Sequence, residues 1–154
     1  MDVCVILGSK SDLEVGKKIS SILKKFDLNY SLNIVSAHRS PEELDKLIDY
    51  AESKGTMIYI CVAGMSAHLP GIVASKTLKP VIGLPVSSNL LGIDSLLSMV
   101  QMPRGIPVGV VGIDNAENAS LLAVKILALF NDNIKAKLIQ YRKEKNVVER
   151  DLNL

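Results

Sequence analysis

Two hydrophobic rhythms alternate along the chain. Strand-like runs occupy residues 3–7, 30–35, 57–62, 80–84 and 108–113. The run at 3–7 is apolar without a break, as a strand covered on both faces requires. Between the runs, apolar residues recur at mainly helical spacing. Leu13, Ile19, Ile22, Leu23 and Phe26 form the first such set. Further helices are predicted over 41–53, as a short helix after the 63–71 loop to about residue 77, over 94–100, from Asn115 through Leu129, and over 133–147. Ser40 and Glu43 are spaced as a capping box, with Pro41 at the first helical position. Gly55 follows as a stop, and Asp94 and Ser95 read as caps of a later helix.

Strict β-α alternation predicts an α/β fold. The expected architecture is a three-layer αβα sandwich around a flavodoxin-like parallel sheet of about five strands. Right-handed crossovers put every strand-end loop on one edge. Residues 9–12, 36–39, 64–68 and 87–92 therefore converge, and with them both histidines of the chain, His38 and His68. No linker, repeat or low-complexity segment divides the sequence, so residues 1–154 are expected to form a single catalytic domain. The helix from Asn115 is apolar nearly all round, which calls for a second covering surface, expected from another subunit. Residues 133–154 are expected to pack on a neighbouring subunit, with Ile134, Leu138 and Tyr141 as the contacting stripe.

Composition narrows the class. With 48% apolar and 22% charged residues, the 154-residue chain can bury a core. A net charge of +2 gives no general drive toward nucleic acid or membrane. Aromatic residues are 4%, with no Trp, which disfavours base-stacking platforms. Cys4 and Cys61 lie in apolar runs and read as small core residues rather than a disulfide or metal pair. No stretch approaches the ~20 apolar residues of a membrane span. The first residues lack a signal-peptide pattern, and a cytoplasmic location is expected. Two histidines thirty residues apart, without a Cys-x-x-Cys, make no metal-ligand set. The absence of a Gly-x-Ser-x-Gly elbow disfavours a serine hydrolase.

Three loops carry candidate chemistry. His38 and Arg39 sit where a strand ends and a helix begins, the edge at which open α/β sheets bind ligands. A histidine there can move protons near neutral pH. The arginine can hold a phosphate or carboxylate through two hydrogen bonds. A surface pair beside a helix cap is the bland alternative. Gly8, Ser9, Lys10, Ser11 and Asp12 suit a phosphate or a sugar, through close backbone approach, helix-start amides and a carboxylate for ribose hydroxyls. They match neither the Walker nor the dinucleotide pattern, and by itself the loop reads first as a helix cap by Ser11 or Asp12. The small residues from Ala63 to Gly71 leave room above the sheet edge, while His68 fits either a ligand pocket or a hydrogen-bonded core position.

Taken in order, five segments resemble one family: Gly8 to Asp12, Ser36 to Arg39, Ala67 to Gly71, Asp94 to Ser98 and Val100 to Pro107. They look like the catalytic subunit of phosphoribosylaminoimidazole carboxylase, in its N5-carboxyaminoimidazole ribonucleotide mutase form. The likeness covers roughly residues 2–145. It implies a step of de novo purine synthesis, in which a carboxylate moves from N5 to C4 of the aminoimidazole ribonucleotide without metal, organic cofactor or ATP. By the resemblance, Ser36, Arg39 and the amides after the first strand meet the substrate phosphate, with Ser9 and Ser11 nearby. Asp12 holds the ribose hydroxyls. Ala37, Gly64, Ser66, His68 and Leu69 line the base and carboxylate pocket, and His38 shuttles the proton. The resemblance also implies a homo-octamer with shared sites, and functional coupling to an ATP-dependent carboxylating synthetase.

Met65 and Ser66 stand where the family's pattern has Gly and Ala. Met65 adopts a positive φ less easily than Gly, so either the position needs none or the loop differs locally. The chemistry suits one histidine, because the leaving nitrogen must be protonated and C4 later deprotonated. An unperturbed imidazole, titrating near ~6.5, can do both in turn. A direct carboxylase using free carbon dioxide is the rival enzyme, and a nucleotide-binding module that does not need His38 is the rival of another class.

Overall fold

The computed structural model describes residues 1–145. Its five strands are β1 (Val3–Leu7), β2 (Tyr30–Ile34), β3 (Ile58–Gly64), β4 (Val81–Val86) and β5 (Gly109–Val110). The helices are α1 (Leu13–Lys25), α2 (Pro41–Ser53), α3 (Leu69–Ala74), α4 (Ile93–Val100), α5 (Ala116–Leu127) and α6 (Asp132–Lys145). All strands are parallel, in the order β2-β1-β3-β4-β5. This is the flavodoxin-like order, with its switch point between β1 and β3.

The period of a strand explains the three layers. Val3, Val5 and Leu7 point to one face, where α1, α5 and α6 cover them with Ile19, Leu23, Ala119, Val124 and Ile134. Cys4 and Ile6 point to the other, against Leu44 and Ile48 of α2, Val73 of α3 and Met99 of α4. α1 can lie close to the sheet because Gly16 has no β-carbon, which would come within 2.8 Å of Leu7 Cδ1. Cys4 and Cys61 are free and buried, and burial raises both thiols above their ordinary range.

The end of α2 follows the expected stop. Gly55 takes φ +72°, its N–H donates to Glu52 O, and the Thr56 N–H reaches Ala51 O. These are the paired bonds of a Schellman motif. Its start differs from expectation. Ser40 occupies the N-cap without a side-chain capping bond, so no capping box forms with Glu43, whose carboxylate instead pairs with Lys46 at 2.7 Å. Asp94 and Ser95 are not caps either. Gly92 is the N-cap of α4 at φ +83°, and Ser95 Oγ donates back to Gly92 O and Val86 O.

Two larger expectations also change. The predicted 108–113 strand shrinks to two ladder residues, Gly109 and Val110. Pro107 has no N–H to pair, and glycines at 109 and 112 weaken what is already a sheet edge. The stripe of Ile134, Leu138 and Tyr141 turns inward onto its own chain. The Tyr141 ring meets Phe26 at 5.5 Å, its hydroxyl donates to Glu117, and Lys137 pairs with Asp27. α5 is covered by α1, the sheet and α6, so its apolar circumference is used largely within the chain. The part of the predicted terminal helix beyond residue 145 lies outside the described residues.

Candidate functional site

Each strand hands a loop to the same edge. After β1, the Gly8 N–H continues the ladder to Val62 O at 2.9 Å. Ser9 then caps a short 3-10 turn, Lys10–Asp12, by accepting from the Ser11 N–H. Ser11 Oγ donates to Asp12 Oδ1 at 3.1 Å. Asp12 is only 7% exposed, and burial raises its carboxyl above the usual aspartate range, with the Ser11 hydroxyl and a backbone bond at Ser9 opposing.

After β2 the chain turns at 37–39. Ser36 anchors the turn, its carbonyl accepting from the Ser40 N–H at 2.9 Å. Its hydroxyl accepts from both the backbone N–H and the Nε–H of Arg39. The guanidinium is thus held beside the strand end, where an anion would meet it in a defined orientation.

After β3, Met65 sits at φ +56° with its side chain mostly exposed, at 60%. The position thus takes the left-handed conformation that glycine enters freely, and a methionine bears it at a cost of about 1–2 kcal/mol. The conformation reverses the chain so that His68 comes back over the sheet edge as the N-cap of α3, its N–H on Ser66 O at 2.8 Å. After β4, the Ser87 N–H donates to Asp114 Oδ1 at 3.0 Å, fixing the fourth loop to the segment behind β5.

These loops enclose a cavity of about 790 Å³, within the usual range for a small-molecule site. The residues that the resemblance assigns to the site all line it: Ser9, Ser11 and Asp12, Ser36, Ala37, His38 and Arg39, and Gly64, Ser66, His68 and Leu69. The structure also brings in Val86, which sequence reasoning left out, and gives a place in the wall to Ser87 and Ser88, which it had located on the edge without a role. The signal for the two serines was their place directly after a buried strand on the binding edge. Ser88 Oγ is buried without a hydrogen-bond partner among the described residues.

Inside the cavity the two histidines touch. His38 Nε2 lies 2.8 Å from His68 Nδ1, and the rings meet edge to face at 87°. The site therefore holds a hydrogen-bonded imidazole pair, a tethered guanidinium and a buried carboxylate. That set can bind an anion, accept hydrogen bonds from hydroxyls and move a proton. Among the described residues, no three His, Cys, Asp or Glu cluster as metal ligands, and no helix is long and apolar enough to cross a membrane.

Comparison with known proteins fits this geometry. The family model described as AIR carboxylase matches residues 2–147. The N5-carboxyaminoimidazole ribonucleotide mutase of Methanocaldococcus jannaschii is 49% identical over 142 residues, spanning 92% of this chain and 88% of that protein. The chloroplastic phosphoribosylaminoimidazole carboxylase of Vigna aconitifolia is 48% identical over 90% of this chain but only 25% of its own length. The crystal structure of Treponema denticola PurE superposes with a TM-score of 0.86 at 32% identity, covering 93% of this chain and 90% of that one.

Proposed function

The chain belongs to the AIR carboxylase family, and from that premise we propose that it is an N5-carboxyaminoimidazole ribonucleotide mutase, an isomerase of de novo purine synthesis. The observation that carries the reading is the convergence of His38, His68, Arg39, Ser36 and Asp12 on one cavity of nucleotide size. Arg39, Ser36 and the amides after β1 hold the substrate phosphate, with Ser9 and Ser11 beside them. Asp12 accepts the ribose hydroxyls. Ala37, Gly64, Ser66, His68 and Leu69 form the wall around the base and carboxylate. Clamping the phosphate places the ring rather than activating it.

His38 gives a proton to N5 as the N5–carboxylate bond breaks, releasing carbon dioxide. C4 attacks that carbon dioxide with its ring electron pair, forming the new C–C bond. His38, now neutral, removes the C4 proton and restores aromaticity. The same proton count enters and leaves, so no co-reactant is needed. Small residues and Leu69 keep carbon dioxide from escaping between the two bond changes. Replacing His38 by Asn is expected to cut turnover by roughly 10²–10⁴-fold, the usual contribution of a general acid-base group, with nucleotide binding kept.

The enzyme works as a homo-octamer in the cytoplasm, taking substrate from an ATP-dependent carboxylating synthetase. The plant relative's name supports a second reading, direct carboxylation of the bare nucleotide by carbon dioxide. The deciding measurement offers the purified protein each nucleotide separately, without ATP, at low bicarbonate. Rapid product from the N-carboxylated nucleotide and little from the bare one is expected. Efficient use of the bare nucleotide with the N-carboxylated one inert overturns the mutase reading.

A further inference from the structure

The contact between His38 Nε2 and His68 Nδ1, at 2.8 Å, needs one proton between the two nitrogens. We propose that His38 supplies it, so that His68 is a positioning residue whose bare Nδ1 accepts the Nε2–H of His38 and leaves Nδ1 of His38 as the nitrogen that exchanges protons with the substrate. The inference rests on the mutase reading for its substrate, though not for its geometry.

The direction of the bond follows from what a shuttle must do. A protonated imidazole has two N–H donors and no acceptor. If His68 donated, every protonation of His38 would set two N–H groups against each other at 2.8 Å and break the contact. If His38 donates, the bond persists in both its charged and neutral forms. The ring then stays in one place through proton release and proton return. His68 in turn carries its own proton on Nε2, the nitrogen that faces away from this contact.

The surroundings agree with this assignment. Arg39 and Asp12 are the other charged groups lining the cavity. Neither makes a hydrogen bond to either imidazole among the described residues, as Arg39 is tied to Ser36 and Asp12 to Ser11. The acceptor given to His38 is therefore a neutral ring rather than a carboxylate. It orients the shuttle without holding the proton so tightly that N5 cannot take it. The His68 ring itself is set by its backbone, whose N–H bonds Ser66 O and whose carbonyl accepts from Ile72, while its side chain makes no cap to α3.

Because the chain has only two histidines, the ring nitrogens can be read one by one. Nitrogen NMR of ring-labelled protein at about pH 8, where ordinary imidazoles are neutral, is expected to show His38 protonated at Nε2 and bare at Nδ1. The His38→Asn variant supplies the assignment. A His38 protonated at Nδ1 overturns the proposal whether or not the protein turns over either nucleotide, so its failure is separate from failure of the mutase reading. In turnover, His68→Leu is expected to lower kcat by roughly 10–100-fold, as for a lost hydrogen bond to a charged group, with KM within about twofold. His68→Asn, whose Oδ1 can stand in for the acceptor, recovers most of that loss. A raised KM with unchanged kcat, or Leu and Asn equally impaired, makes His68 a lining residue only and sinks the idea. If His68→Leu does not fold, the nitrogen spectra and the Asn variant still decide.

Discussion

The Ser36 hydroxyl accepts from Arg39 twice, from its backbone N–H at 3.2 Å and from its Nε–H at 3.4 Å. One small side chain thus fixes both the turn and the direction of the guanidinium. Removing it frees a long, rotamer-rich side chain that must be ordered again on binding. Ser36→Ala is expected to raise KM for the nucleotide by about 3–30-fold, as one or two modest hydrogen bonds imply. A kcat change of less than about threefold should accompany it. Steady-state kinetics checks this, and a loss confined to kcat would contradict the clamp.

Asp12 is expected to trade stability for binding. Its carboxyl titrates above the ordinary range because it is buried. A group raised in the folded state adds stability below its unfolded value and loses it as pH climbs through the folded value. At neutral pH the buried charge therefore works against the fold. Asp12→Asn is expected to melt no lower than the wild type at pH 7, with any advantage gone by about pH 4, near the unfolded aspartate value. The same variant should bind the ribonucleotide about 10-fold or more weakly. Thermal melts across pH, with calorimetric titration of substrate, test the two halves together. Unchanged affinity would remove Asp12 from the sugar.

Met65 holds a left-handed conformation at the rim of the cavity. Met65→Gly removes the steric penalty but adds freedom to the unfolded chain. Denaturant unfolding is expected to place it between unchanged and about 1 kcal/mol more stable. Met65→Val puts a branched β-carbon in that conformation and should lose about 1–2 kcal/mol. Equal stability of the two variants would mean the loop relaxes out of the left-handed region.

One run of exposed apolar residues lies on and before α4. Leu90 and Leu91 are 63% and 77% exposed, and Ile93, Leu97 and Val100 are each about half exposed. The patch continues from the Ser87-Ser88 wall of the cavity. If neighbouring subunits cover it in the proposed octamer, Leu97→Glu buries an unpaired charge at the contact and should split the assembly. Light scattering of the wild type is expected to give a large, concentration-independent mass, and of the variant a smaller one with reduced activity. A wild-type monomer at all concentrations would contradict the octamer.

The strand-helix alternation, and the edge on which chemistry gathers, can be read from the residues alone. Runs buried on both faces leave an unbroken apolar record, as at Val3–Leu7 and along β3. Parallel strands send their C-terminal loops to one side whatever the side chains are. So Ser9, Asp12, Arg39 and His68 were all legible as neighbours of one cavity. Tertiary structure alone decided the rest, because spacing along a chain carries no lateral distances. The order β2-β1-β3 sets the loops of β2 and β3 on either side of the β1 end, and this brings His38 and His68 to 2.8 Å. Position at the sheet edge cut β5 to two residues, and the folding back of α6 covered the apolar stripe that the sequence offered to a partner. Met65 took the left-handed turn because the closure of the loop over the sheet outweighed a local preference of about 1–2 kcal/mol. Local preference is written residue by residue, while the packing that overrules it is a property of the whole fold.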